Sequence, residues 1–92
     1  MKKLVVSNYP SGDQTYDVKR SLVTLLFHPE LKLDAYDTLK AQKLADKIDA
    51  AEDVVLLEDA EYERVRAGLE VTRGFSQHDV PLIQRILDAE TV

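Results

Sequence analysis

The apolar residues of this chain fall into short runs with two different spacings. In KKLVVSN, Leu4, Val5 and Val6 stand together between two lysines and the turn-rich YPSGDQ, which predicts a strand near residues 3–8 and a loop after it. From Asp17 the spacing changes. Val18, Leu22, Leu25 and Leu26 repeat at four, three and one, with Val23 and Phe27 widening the face, so a well-buried helix is predicted over residues 17–27, capped by Asp17 and ended before Pro29. A second helix over residues 35–51 starts at Asp34, with Asp37 three residues on as in a capping box, and carries the narrow stripe Ala41, Leu44, Ala45 and Ile48. Val54, Val55, Leu56 and Leu57 follow without interruption. Two of them are β-branched and acids bound the run, which predicts a strand over 54–57 enclosed between other elements and paired with the first strand.

Tyr62, Val65, Leu69 and Thr72 then recur at three, four and three, predicting a helix over 59–73 with Asp59 as N-cap and Glu61 and Glu63 near its positive end. Glu63 with Arg66 and Glu70 with Arg73 are spaced as ion pairs; Gly74 suits a left-handed helix end, with Phe75 folding back on Leu69. Gly68 has no place in a helix middle, where glycine costs about 1 kcal/mol relative to alanine, unless another helix crosses closely there. Pro81 opens a last helix over 80–89 that buries Leu82, Ile83, Ile86 and Leu87. Tyr36 and Tyr62, each just after a helix start, are read as packing residues. The expected fold is α+β, four helices with a small two-stranded sheet in the order strand, helix, helix, strand, helix, helix, in one domain spanning 1–92.

Charge changes the picture along the chain. The 92 residues carry a net charge of -5, but residues 1–46 hold a net +1 and residues 47–92 a net -6. An acidic half is a poor surface for phosphate backbones, so no nucleic-acid partner is expected. The ridge Lys40, Lys43 and Lys47 is interleaved with Asp37, Asp46 and Asp49 and contains no Arg, as on a solvated helix face. There is no cysteine, hence no thiol nucleophile and no disulfide. The apolar run after Lys3 is too short for a signal-peptide core or a membrane span, and a cytoplasmic location is expected.

Six acids between Glu52 and Glu63 raise the question of a metal site. A four-residue strand at ~3.3 Å per residue holds Glu52 and Asp53 more than about 10 Å from Glu58 and Asp59, so capping and solvation account for them and no metal or other cofactor is expected. Ser76, His78 and Asp79 are of the types used in nucleophilic catalysis. They share one turn in which Ser76 and Asp79 serve as helix caps, and no enzyme is expected.

The series DVKRSLVTLLFHPELKL, LADKI, LLEDAEYERVRAGLE and LIQRILDAE resembles small, poorly characterised proteins of tailed bacteriophages and prophages. The resemblance implies an accessory or assembly protein that works through contacts in the bacterial host's cytoplasm, and it carries no catalytic residues.

A non-enzymatic interaction protein, binding a protein partner or its own copies, is therefore expected, with no small-molecule substrate. Leu39, Val71 and Phe75 do not fit a single internal face and are expected to form an apolar patch, with Glu58, Glu61 and Glu63 around it restricting the partner. The alternative, from a different class, is an acidic inhibitor of a host nucleic-acid-handling or defence protein, with Glu58, Asp59, Glu61 and Glu63 presenting phosphate-like charge.

Overall fold

A computed structural model describes residues 1–92. Its order is β1 (Lys2–Val5), β2 (Tyr9–Ser11), β3 (Gln14–Tyr16), α1 (Val18–Leu26), α2 (Ala35–Ala50), β4 (Val54–Leu57), α3 (Asp59–Val71), α4 (Val80–Leu87) and β5 (Glu90–Thr91), with 3-10 turns at Pro29–Leu31 and Gln77–Asp79. The α+β class with four helices stands, and β1 pairs antiparallel with β4 as the spacing predicts, Lys2 opposite Leu57 and Val5 opposite Val54. The sheet is larger than expected. β5 lies on the other side of β1, giving the order β4-β1-β5, and β2 and β3 form a separate hairpin.

Both additions have local causes. YPSGDQTY places Gly12 at positive φ (+61°) in the two-residue hairpin loop, the position at which a type II′ turn needs glycine. Tyr9 and Tyr16, opposite each other in register, stack with centroids 4.7 Å apart and planes at 7°. Pro10 and the three-residue length of each strand hide this hairpin in the sequence. The last helix stops at Leu87, two residues short of the expected end, which frees Glu90 and Thr91 to pair with Lys3 and Lys2.

The four helices share one core with one face of the three-stranded sheet, α3 packing against β4, α4 against β1, and α1 against α2 and α3. Leu4, Val6, Val55 and Leu57 point into a core shared with Val18, Leu22, Leu26, Leu44, Ile48, Val65, Leu82 and Ile86. Asp17 caps α1 through Arg20 N–H (3.1 Å) and Asp34 caps α2 through Asp37 N–H (2.8 Å). Gly68 does mark a close crossing: a Cβ there would lie 2.2 Å from the Leu25 carbonyl oxygen of α1. Tyr62 is buried and donates to the Ile86 carbonyl at 2.6 Å, tying α3 to α4. No helix is long and apolar enough to cross a membrane.

Several local expectations are corrected. The N-cap of α3 is Glu58, because β4 ends at Leu57 and the helix begins immediately after it; Asp59 is already the first helical residue. α3 ends at Val71, before Gly74. Thr72 Oγ1 donates to the Gly68 carbonyl (2.7 Å) and Arg73 to the Glu70 carbonyl (2.6 Å), so side chains satisfy the helix end and Gly74, at φ +85°, turns the loop beyond it. Arg66 pairs with Glu70 (3.5 Å) and not with Glu63, and the Arg73 guanidinium reaches carbonyl oxygens and not Glu70's carboxylate. Tyr36 is not a packing residue, being 78% exposed, and Leu87, on the outer side of α4, is half exposed.

Candidate functional site

Two regions hold groups that the core does not use. The first lies where the β2–β3 hairpin meets the turn Gln77–Asp79. Tyr9 donates to the His78 carbonyl (2.7 Å), Ser11 Oγ bonds His78 Nδ1, and Tyr16 donates to Asp79 Oδ1. Asp79 also accepts from the Ser76 N–H at 2.8 Å. Burial pushes the Tyr16 hydroxyl up to about 12, and its bond to the Asp79 carboxylate adds to the shift. Burial raises the Asp79 carboxyl, but the bonds from Tyr16 and Ser76 outweigh it and leave it below the usual carboxylate range. Arg85 lies over the Tyr9 ring (5.1 Å) and donates to the Ser7 carbonyl at 2.6 Å.

Beside this junction is an open hollow of about 500 Å³ lined by Ser11, Asp13, Tyr16, Asp17, Arg20 and His78 among others. The His78 imidazole bonds Ser11 Oγ, whereas Ser76 Oγ accepts from the His78 backbone N–H (3.2 Å), and the neighbouring carboxylate is already held by Tyr16 and Ser76. A Ser–His–Asp relay needs the acid on the second imidazole nitrogen. The bonds that are present fasten the hairpin to the loop.

The second region is the sheet face turned away from the helices. Lys3 and Val5 of β1, Val54 and Leu56 of β4 and Glu90 of β5 share this side by register. Val5, Val54 and Leu56 are 37%, 38% and 45% exposed, and Val5 lines a shallow hollow with Arg85 of α4 and Glu90. This corrects the expectation that the run Val54–Leu57 is enclosed on both sides: its exposure alternates, and only Val55 and Leu57 are buried. In an antiparallel sheet with one solvated face the outward positions are ordinarily polar.

The residues singled out from sequence are dispersed. Leu39 lies on the outer side of α2, 63% exposed. Val71 lines a shallow hollow with His28, Glu30 and Arg73, whereas Phe75 lines another with Tyr16, Thr24, Leu25 and Leu82. Glu58 caps α3, and Glu63 is exposed on it. Glu61 accepts from the Glu58 N–H and from Lys47 Nζ, both at 2.8 Å. Burial raises its carboxyl, yet those two partners together hold it below the usual range.

Val5, Val54 and Leu56 were legible as strand residues but not as exposed ones. The signal was the run of four apolar residues in a sheet too small to be covered twice. No family model matches the chain, and no curated protein or solved structure shows significant similarity to it.

Proposed function

We propose that this chain is a non-enzymatic interaction protein whose working surface is the open face of the sheet, and that it binds a protein partner. The observation that carries the reading is the alternation in Val54–Leu57, where both sides of a strand are apolar and only one is covered. The resemblance to phage accessory and assembly proteins fits a role of this kind. At roughly two-fifths exposure, covering Val5, Val54 and Leu56 contributes on the order of 1 kcal/mol each. Association itself costs about 4–15 kcal/mol. A partner must therefore engage more of the surface than these three side chains.

The test is chemical cross-linking in cells that express the protein, comparing wild type with Val5→Thr/Leu56→Thr. These threonines keep strand preference and remove apolar area. Loss of wild-type cross-links in the folded variant is expected. An unchanged set would sink the reading.

A further inference from the structure

The face just described adjoins an unpaired strand edge. In the order β4-β1-β5, β4 is hydrogen-bonded on one side only. Val6 N–H donates to the Asp53 carbonyl at 2.8 Å, which sets the phase of the ladder: Asp53, Val55 and Leu57 turn their backbone groups to the first strand and its continuation, whereas Val54 and Leu56 turn theirs outward. The outward N–H and C=O groups therefore belong to the two residues of β4 whose side chains stand on the open face. Main-chain bonding and apolar contact are offered at one place, as in recognition by strand addition.

The edge is bounded by exposed carboxylates, Glu52 and Asp53 before it and Glu58 and Asp59 after it. The three ion pairs of the molecule, Lys47 with Glu61, Arg64 with Asp37 and Arg66 with Glu70, use none of them.

These charges select the occupant. When two copies pair antiparallel along the full strand, the phase sets Val54 opposite Leu56 and Glu52 opposite Glu58, at both ends of the ladder. Slipping the register to place Leu56 opposite itself brings Asp53 against Asp59. Like charges directly opposite each other oppose pairing in these two registers. Slipping the other way, with Val54 opposite itself, sets each Leu56 against Glu52 and forfeits the apolar contact, so a second copy is disfavoured in all three. Resting on the interaction reading above, we infer that the free edge of β4 accepts an extended segment of a protein partner, apolar at alternate positions and bounded at both ends by Lys or Arg.

The experiment titrates the isotopically labelled protein with an eight-residue peptide of alternating Val and Thr carrying two lysines at each end, followed by amide NMR. A second peptide has glutamates in place of the lysines. The lysine-ended peptide is expected to shift the amides of Val54 and Leu56, slow their exchange at least tenfold, and bind at least tenfold more tightly than the glutamate-ended one. Glu52→Lys/Asp53→Lys should reduce that preference at least tenfold; Glu52→Lys alone is the milder version should the double variant unfold.

Equal binding of both peptides, no binding at millimolar concentration, or shifts centred on Tyr36 and Leu39 of α2 would overturn the inference. So would exchange protection of Val54 and Leu56 in the protein alone, accompanied by a dimer in sedimentation, which would make a second copy the occupant. Each of these outcomes leaves the broader reading standing if the Val5→Thr/Leu56→Thr variant still loses its cross-links. An unchanged cross-link set fails that reading whatever the peptide does.

Discussion

Gly68 occupies a helix position where alanine would ordinarily be better, because the backbone of α1 runs too close for a side chain. Gly68→Ala is expected to lower stability by about 1–3 kcal/mol, overpacking outweighing the gain in helix preference, while Glu63→Ala, at an exposed position of the same helix outside the ion pairs, is near neutral in denaturant unfolding. Glu61 is the second residue on which much rests, since one carboxylate serves both the Glu58 N–H and Lys47. Glu61→Ala should cost about 1 kcal/mol or somewhat more, and Asp59→Ala only the ~0.3–1 kcal/mol of its interaction with the helix dipole. The sign with pH follows from the lowered carboxyl. Its stabilisation is present above the unfolded value of 4.5 and is lost as pH falls through the lower folded value, so Glu61→Gln should flatten the stability profile on the acid side. Gly68 was legible in the sequence because a mid-helix glycine demands a neighbour. The cap was not, because aspartate is the commoner capping residue and only the end of β4 shows that the helix starts one position earlier.

Among the elements, the hairpin was the least legible. Each of its strands has three residues, and what holds it is the pair of stacked tyrosines together with bonds to a turn more than sixty residues away in sequence. Such distant partners leave no spacing to read. The helices, by contrast, show their buried faces at intervals of three and four, and Asp17 and Asp34 announce two of their starts. Tyr16→Phe should loosen the hairpin by about 1 kcal/mol without unfolding the core, seen as faster amide exchange confined to Tyr9–Tyr16. Because the folded Tyr16 hydroxyl is raised from 10.0 to about 12, its contribution is complete below pH 10 and fades as pH rises through 12. Tyrosinate absorbance and unfolding followed together should show that alkaline loss in wild type and a smaller one in Tyr16→Phe.

For the molecule as a whole, the sequence yields the fold class and the β1–β4 pairing, but not the side of the sheet left open, since a run of four apolar residues looks alike whether one face or two are covered. That run also has a history before the fold is complete. β1 and β4 bring Lys2 and Leu57 together across the entire α1–α2 segment, so loop closure delays their pairing relative to the helices between them. Until β1 arrives, Val54–Leu57 is a short β-forming stretch without proline, the kind of segment through which refolding chains aggregate. Glu52, Asp53, Glu58 and Asp59 flank that run in the unfolded chain too, where their charge opposes its association. Glu52→Gln/Asp53→Asn should leave equilibrium unfolding within about 0.5 kcal/mol of wild type while lowering the yield of dilution refolding, increasingly so at higher protein concentration, because aggregation grows with the number of encounters between incomplete chains.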